Sequence, residues 1–268
     1  MMMSQLTDQQ YLRSEQYGDA RNLNARAYVH QRFSTNDYPW QRWVFDHFDL
    51  PEHCDVLDVG CGPGDLWIEN DERVPSNWRV VLSDLSVGMI QAAVHNCGSN
   101  PDQFKPLVLD AQTIPLPDES VDAVVANHML YHVPDRDAAL YEFSRVLRAG
   151  GHLYAATNGL SHLRELRELV GKFCINADTA NVAMAFGLEN GATQLLRHFA
   201  SVGQDRQENA LVVTEAEALI AYARSMMTER ASREDLKALG HSVHKRIAAD
   251  GAIYIQKDAG LFVATKAW

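Results

Sequence analysis

Short apolar runs alternate with amphipathic stretches along the middle of this 268-residue chain. The apolar runs predict parallel strands, because a strand that is covered on both faces is apolar at nearly every position. The amphipathic stretches carry apolar residues at three- and four-residue steps, which indicates helices packed against a sheet. Strands are predicted at 55–59, 79–83, 104–109, 120–126 and 152–157. The alternation predicts an α/β fold with helices on both faces of the sheet.

The pattern changes on both sides of this alternating core, which covers residues 51–158. Residues 1–50 mix polar and apolar positions and are predicted to form a helical cap, in which Pro39 begins a second helix. Residues 159–200 carry leucines at helical spacing and are predicted to form a helical lid inserted after the fifth strand. A helical subdomain without a lid function fits the same pattern.

Apolar side chains in the cap and the lid have different expected places. In the cap, Trp40, Trp43 and Phe48 lie at helical spacing, and we interpret them as core residues. In the lid, an apolar substrate pocket is expected to be lined by Phe173, Met184, Phe186, Leu188 and His198.

Turn signals set two further boundaries. The pair Gly150–Gly151 is expected to end the helix that begins after Pro134. Residues 201–268 are predicted to complete the core sheet. A tight turn at 257–260 predicts a hairpin over 252–265, which ends the chain with an antiparallel strand.

A glycine-rich loop follows the first predicted strand. Gly60, Gly62 and Gly64 form a G-x-G-x-G pattern within VLDVGCGPGDL, residues 56–66. Glycine lets the chain turn sharply and lie against a ligand, and a following helix presents free N–H groups to the turn. Asp84 ends the second strand twenty residues after Gly64, where an acid takes the hydroxyls of a free ribose. The pattern predicts a nucleotide-binding unit.

Two details of this unit argue against a pyrophosphate-binding dehydrogenase. The loop lacks the G-x-G-x-x-G spacing of dinucleotide enzymes, and Asp58 stands two residues before its first glycine. The third and fourth strands also end in chemically distinctive segments, Asp110–Gln112 and Asn127–His132. Because parallel sheets bind ligands at the carboxyl ends of their strands, both segments are expected at the same site.

These segments together resemble the successive motifs of class I S-adenosylmethionine-dependent methyltransferases, and most closely the small-molecule branch that includes ubiquinone/menaquinone-type enzymes. The resemblance covers roughly residues 55–157 and rests on DVGCGPG, Asp84, LDAQTIPLPDESVDAVVANHMLYHV and LRAGGHLYAAT in this order. It implies a Rossmann-like seven-stranded, mostly parallel sheet with an antiparallel last strand. It also implies S-adenosyl-L-methionine as the cofactor and S-adenosyl-L-homocysteine as the product.

The resemblance implies a role for each motif in holding the cofactor. The glycine loop holds the methionine part and the ribose, Asp84 takes the ribose hydroxyls, and Met89 packs on the adenine. Asp110 accepts from the adenine amino group, and the N–H of Ala111 donates to the ring. Asp58 reaches the methionine amino group through water or backbone. The expected cofactor-binding residues of the core are Asp58, Gly60, Cys61, Gly62, Gly64, Asp84, Leu85, Met89, Asp110, Ala111, Gln112 and Asn127.

The predicted cap supplies further candidates. N-terminal helices of similar methyltransferases close over the cofactor, so Tyr17 and Arg26 are also expected to bind it. Solvated surface positions are the alternative for both residues. His30 is a weaker candidate for a proton-accepting group.

Methyl transfer from a sulfonium needs mainly alignment, because the methyl carbon is already activated by the positive sulfur. A base is needed only when the accepting atom is a hydroxyl or a charged ammonium. His128, His132 and Tyr131 follow the fourth strand and are the candidate catalytic groups, as base or orienting residues, since imidazole titrates near neutral pH. Structural histidines under the loop are the alternative interpretation.

The composition limits the binding partners and the cellular compartment that are expected for this protein. The formal net charge of −11 disfavours long nucleic acids, whose binding needs clustered Lys and Arg. The four cysteines form no C-x-x-C pair, so no metal site is expected, and reduced thiols fit a cytoplasmic protein. Neither a signal-peptide core nor an apolar run of spanning length occurs, so no membrane partner is expected. We expect a small-molecule methyl acceptor and a monomer or homodimer.

Other functions fit parts of the sequence. A nicotinamide-dependent oxidoreductase uses a similar sheet, but the glycine spacing, the Asp110 segment and the reversed last strand disfavour it. A non-catalytic S-adenosylmethionine-binding protein keeps the cofactor motifs without an acceptor site. A protein or RNA substrate is a lesser option because the chain is acidic. The leading hypothesis is methyl transfer to an oxygen, nitrogen or carbon atom of a small molecule.

Overall fold

The computed structural model describes residues 21–97, 102–173, 181–226 and 232–268. Seven strands form one sheet in the order β3-β2-β1-β4-β5-β7-β6. The strand bounds are β1 Cys54–Val59, β2 Trp78–Asp84, β3 Phe104–Val108, β4 Val121–Asn127, β5 Leu147–Asn158, β6 Ser201–Val213 and β7 Ile253–Thr265.

The pairing of the strands confirms the predicted fold. Strands β3, β2, β1, β4 and β5 pair in parallel, and β7 runs antiparallel to both β5 and β6. The chain order reverses at β1, which lies between β2 and β4 and pairs Asp58 with Leu82 on one side and Val125 on the other. Such a switch point opens a crevice at the carboxyl ends of the strands, where open α/β sheets bind ligands.

The helices fill the connections between the strands. Their bounds are α1 Arg21–Phe33, α2 Trp40–Phe45, α3 Asp65–Glu69, α4 Val87–Cys97, α5 Arg136–Val146, α6 Arg164–Phe173, α7 Gly191–Leu195, α8 Ala216–Ser225 and α9 Arg233–Asp250. Short 3₁₀ turns lie at Leu130–His132 and Val182–Met184. Among the helices of the described residues, none is both long and apolar enough to cross a membrane.

Both faces of the central strands are buried, which explains their nearly continuous apolar sequence. Val124 of β4 belongs to a cluster that includes Phe143 of α5, whereas its neighbours Ala123 and Val125 belong to a second cluster around Trp67 of α3. A third cluster joins α1, α6, α8 and α9 to β6 and β7. The cap and the insertion after β5 therefore share one apolar core at the β6 side of the sheet.

Two turn predictions were wrong. Helix α5 ends at Val146, and β5 begins at Leu147, because the chain becomes extended there. Gly150 therefore lies inside β5, where its positive φ of 73° accompanies the register shift between β4 and β5 rather than a helix cap.

The predicted terminal hairpin does not form, since β7 is one continuous strand paired with β6 along its whole length. Gly260 marks a close approach of two strands rather than a turn, because a Cβ at this position would overlap the carbonyl oxygen of Asp205. The antiparallel last strand is confirmed, although its partners are β5 and β6.

We expect Gly191→Ala to destabilise the protein by about 1–3 kcal/mol, because overpacking a filled core forces side chains to move. Gly191 begins α7 and is buried, and an added Cβ would lie 2.5 Å from a ring carbon of Phe262. The free energy of unfolding in urea measures the effect. Gly171→Ala is the matched control, because its Cβ would meet no atom within 4 Å in α6, and it should gain about 0.5–1 kcal/mol. Equal stability of the two variants would contradict the packing argument.

Candidate functional site

A cavity of about 440 Å³ opens at the carboxyl ends of β1, β2 and β4. This volume lies within the usual range for small-molecule sites. Residues from the ends of the strands, from the loop after β1 and from helices α1 and α2 line it. The cavity therefore occupies the crevice that the strand order creates.

The loop after β1 forms one wall of the cavity through its backbone. Gly60, Gly62 and Gly64 all have positive φ, at 73°, 55° and 89°. An added Cβ at Gly62 would meet no atom within 4 Å, so the backbone there lies open to the cavity. At Gly64 a Cβ would lie 2.6 Å from the sulfur of Cys97. Gly64 thus allows the loop to pack on α4, while Gly62 leaves room for a ligand.

Asp84 joins the end of β2 to this loop. Its Oδ2 accepts from the N–H of Gly62 at 3.1 Å, and its Oδ1 accepts from the N–H of Ser86 at 2.8 Å. Burial raises the pKa of the carboxyl group, while hydrogen bonds from these backbone groups oppose the rise. Because each carboxylate oxygen has two lone pairs, both oxygens keep one for a ligand hydroxyl.

Two buried side-chain oxygens beside the loop have no hydrogen-bond partner. Every other buried side-chain nitrogen or oxygen in the described part of the chain has one. One is Oδ1 of Asp58, whose Oδ2 accepts from the indole N–H of Trp67 at 2.7 Å. The other is Oδ1 of Asn127 at the end of β4. Burial, together with the charge of Asp84, raises the pKa of Asp58 to about 7. A ligand ammonium donor fits these acceptors, because it would satisfy them and favour the carboxylate form of Asp58.

The segment after β3 presents a carboxylate to the opposite side of the cavity. Asp110 and Ala111 line it, together with Leu85 and Met89. Oδ1 of Asp110 accepts from the backbone N–H of Gln112 at 3.0 Å, and the side-chain amide of Gln112 donates to both carboxylate oxygens. The side-chain amide oxygen of Gln112 accepts from the N–H of Asp135 at 3.0 Å. Gln112 therefore orients Asp110 from outside the cavity lining.

The predicted catalytic groups lie at the end of β4. His128, Tyr131 and His132 all line the cavity. His128 has a positive φ of 53°, and its ring centroid lies 5.3 Å from that of Trp40. Burial, together with the charges of Lys257 and His132, lowers the pKa of His128 to about 4. The imidazole is therefore neutral at pH 7 and able to accept a proton or a hydrogen bond.

The described part of the cap contributes Arg26 to the cavity. Its guanidinium donates to the hydroxyl oxygen of Ser225 in α8 at 3.0 Å, which holds the side chain in place. Tyr17 lies outside the described residues. His30 lies one helical turn after Arg26 and is not part of the lining, since its Nε2 contacts the hydroxyl of Tyr222 at 2.9 Å.

Comparison with known proteins identifies the core. Residues 57–155 match the family model described as a methyltransferase domain. This chain contains a methyltransferase domain. The family that the motifs predicted is thereby confirmed for this part of the chain, which includes the glycine loop and the ends of β1 to β4.

Individual relatives of this methyltransferase domain differ in the atom that they methylate. A ubiquinone/menaquinone biosynthesis C-methyltransferase from Hahella chejuensis is 34% identical over 119 residues, covering 42% of this chain and 47% of that protein. A malonyl-[acyl-carrier protein] O-methyltransferase from Xylella fastidiosa is 29% identical over 204 residues, covering 74% of this chain and 65% of that protein. The chain thus spans about half the length of the C-methyltransferase that it matches.

A solved structure extends the likeness in fold to the whole chain. A phosphoethanolamine N-methyltransferase from Haemonchus contortus, solved in complex with S-adenosyl-L-methionine, has a TM-score of 0.61 at 17% identity. The match covers 100% of this chain and 61% of that one. Because the identity is low, this likeness concerns the fold.

The structure brings most of the predicted site residues of the methyltransferase domain to one cavity. In addition to the catalytic candidates and Arg26, the lining includes Asp58, Gly60, Cys61, Gly62, Asp84, Leu85, Met89, Asp110, Ala111 and Asn127. Gly64 and Gln112 lie outside the lining, so their roles are to pack the loop and to orient Asp110.

The predicted apolar pocket of the lid does not form. Phe186 and Leu188 are buried in the cluster on the α5 face, and Phe173 packs on the third cluster. Met184 is 74% exposed, and Nε2 of His198 contacts the carboxylate of Asp137 at 2.9 Å. None of these five residues lines the cavity.

Trp40 packs against the cluster around Trp67, as do Trp43 and Phe48, which agrees with their interpretation as core residues. Trp40 also lines the cavity, where it lies between Trp43, at a centroid distance of 5.0 Å, and His128. Met129 also lines the cavity, and its Cβ would lie 2.8 Å from an added Cβ at Gly60. The sequence placed it at the site only as part of the segment after the fourth strand and gave it no role of its own.

Proposed function

We propose that this protein transfers the methyl group of S-adenosyl-L-methionine to a small-molecule acceptor. The observation that carries the proposal is the cavity at the β1/β4 switch point, where Asp84, the open backbone at Gly62 and two unsatisfied oxygens converge. A sulfonium cofactor with a ribose diol and an ammonium group matches this set of acceptors. The methyltransferase domain match supports the same conclusion.

The residues divide into a cofactor side and an acceptor side. Asp84 accepts from the ribose hydroxyls, Asp110 accepts from the adenine amino group, and Asp58 and Asn127 accept from the methionine ammonium. The bound cofactor supplies an activated methyl group. His128, Tyr131 and His132 face the remaining space, where they align the acceptor and take its proton if it carries one.

The acceptor side and the composition also support a small-molecule acceptor, a cytoplasmic location and a monomer or homodimer. The cavity has the volume of a small-molecule site, and its residues come from the interior of the fold rather than from an exposed basic surface. With its net charge of −11 and scattered cysteines, the chain fits a cytoplasmic enzyme that acts as a monomer or homodimer.

Calorimetric titration with S-adenosylmethionine, S-adenosylhomocysteine and NADH tests the cofactor assignment. We expect saturable binding of the two sulfur compounds and no binding of NADH. The dissociation constants of the sulfur compounds should be in the micromolar range, which corresponds to a binding free energy of about −8 kcal/mol. A screen of small acceptors with the labelled methyl cofactor then tests transfer. Binding of NADH alone would favour the oxidoreductase alternative. Cofactor binding without transfer to any acceptor would favour the non-catalytic one.

A further inference from the structure

A row of aromatic rings lines the end of the cavity that lies at β4. Trp40, His128, Tyr131 and His132 all belong to the lining, and we call these four residues the aromatic wall. The ring centroid of His128 lies 5.3 Å from that of Trp40 and 6.5 Å from that of Tyr131. The rings of Tyr131 and His132 lie 4.6 Å apart. The aromatic wall therefore runs from α2 of the cap to the segment that follows β4.

Packing behind the aromatic wall holds the ring of Trp40 in place. Pro39 precedes α2 with a φ of −60°, and its carbonyl oxygen accepts from the N–H of Trp43 at 3.0 Å, so Trp40 is the first residue of the helix. The ring of Trp43 stacks on that of Trp40 at a centroid distance of 5.0 Å and an interplanar angle of 29°. Trp43 thus supports one side of the indole, which is preorganised for a ligand on the cavity side.

Part of the surface of the aromatic wall stays open. Trp40, His128 and His132 are half-buried, whereas Trp67 and Trp78, in the cluster on which Trp40 packs, are only 1% and 5% exposed. An indole that is held in place while part of its surface borders a cavity is a platform on which a flat ligand stacks.

The strand order separates the aromatic wall from the adenine end of the cavity. Leu85, Met89 and Asp110 follow β2 and β3, whereas the aromatic wall lies at β4, and β1 runs between β2 and β4. In the proposed function, Asp110 holds the adenine, and Asp58 and Asn127 hold the methionine ammonium. The aromatic wall then borders the space beyond the methionine part, which is the space for the acceptor.

The charges at the cavity favour an aromatic ring over a cation as the group that the aromatic wall binds. Aromatic faces attract either rings or ammonium groups. The cofactor brings a sulfonium charge, and the guanidinium of Arg26 lines the cavity, where Ser225 holds it at 3.0 Å. Both charges repel a further cation close by. The rings also follow one another in a row, whereas the rings of an ammonium cage surround one point.

We propose that the aromatic wall is a stacking subsite for the ring of an aromatic methyl acceptor, and that Trp40 determines this specificity. The acceptor is thus a small molecule with a planar ring close to the methylated atom. This inference rests on the proposed function, because it assigns the substrate class of the same site. Stacking on Trp40 fixes the plane of the ring, which aligns the accepting atom with the methyl group.

The test compares a flat ring and a puckered ring of the same size on the protein loaded with S-adenosylhomocysteine. The probes are benzyl alcohol and cyclohexylmethanol, which carry the same hydroxymethyl group, and calorimetry measures their binding. The saturated ring buries at least as much apolar surface, so an apolar pocket without stacking would not prefer benzyl alcohol. We expect benzyl alcohol to bind about three- to tenfold more tightly, because an aromatic pair is worth about this factor beyond its buried area.

Three tryptophan variants locate the effect. In Trp40→Leu the two probes should bind with nearly equal affinity, and Trp40→Phe, which keeps a smaller ring, should retain part of the preference. Trp268→Leu is the matched control, because Trp268 is 99% exposed and its ring lies beside Gly150, near the amino end of β5 and away from the cavity. This control should prefer benzyl alcohol as the wild type does. Binding of S-adenosylhomocysteine shows that each variant is folded.

Several outcomes would overturn the stacking subsite. They are equal affinity of the wild type for the two probes, no saturable binding of benzyl alcohol, tighter binding of tetramethylammonium than of benzyl alcohol, and an unchanged preference in Trp40→Leu. The comparison on the wild type does not depend on the folding of any variant. If S-adenosylhomocysteine itself does not bind the wild type, the proposed function fails. The same pair of probes on the unloaded protein then decides whether the aromatic wall selects a flat ring.

Discussion

We expect His128→Asn to lower the turnover of methyl transfer by about two to four orders of magnitude, because a positioned general base contributes a factor of this size. His128 lines the cavity at the end of β4, and it is half-buried and neutral at pH 7. Asparagine tolerates the positive φ of 53° at this position better than most residues with a side chain, so the variant should keep its backbone. Turnover is measured with an acceptor that the labelled-methyl screen identifies.

The pH profile distinguishes a base from a packing residue. The imidazole accepts a proton only above its own pKa, which is about 4 in the free protein. The acid limb of kcat/KM that depends on His128 should therefore lie well below pH 6.5, where an ordinary histidine titrates. His132→Asn is the comparison variant on the same turn. Full turnover of His128→Asn would exclude the base assignment, and the hydrogen-bonding role of His132 or Tyr131 would then be the one to test.

The sequence predicted the cofactor side of the site because its signals are local. The glycine loop, Asp84 and the segment at Asp110 each follow a strand within a few residues, and parallel strands bring such positions to the same edge. Their order along the chain was enough to place them in one cavity.

The acceptor side could not be predicted in the same way, because long-range packing determines it. Trp40 looked like one more apolar position of an amphipathic helix, yet it lines the cavity beside His128. Arg26 reaches the cavity from α1, where a hydrogen bond to Ser225 of the distant helix α8 holds its side chain. Both residues depend on how distant elements pack, which a periodic pattern does not encode.

The glycines show the same limit at single positions. Gly62, Gly150 and Gly260 are all compatible with turns in the sequence. In the structure, Gly62 opens the cavity, Gly150 lies inside a bulged strand, and Gly260 allows a neighbouring backbone to approach closely. Only the atoms that surround each glycine distinguish these roles, and those atoms come from other elements.

We expect Asp84→Ala to weaken the binding of S-adenosylhomocysteine by about 1.5–3 kcal/mol, because hydrogen bonds to a charged group are lost. Asp84 also accepts from the N–H groups of Gly62 and Ser86, so its removal loosens the glycine loop as well. Calorimetry with the normal ligand alone would not separate these two effects.

A second ligand separates them. The wild type should bind the 2′-deoxy analogue of S-adenosylhomocysteine about tenfold or more weakly than the parent compound, since the carboxylate of Asp84 then lacks one of its hydrogen-bond donors. In Asp84→Ala the two ligands should have nearly equal affinity, because the carboxylate that distinguishes them is gone. Asp71→Asn, an exposed position after α3, should behave like the wild type. If Asp84→Ala still discriminates between the ligands as the wild type does, Asp84 shapes the loop but does not bind the ribose.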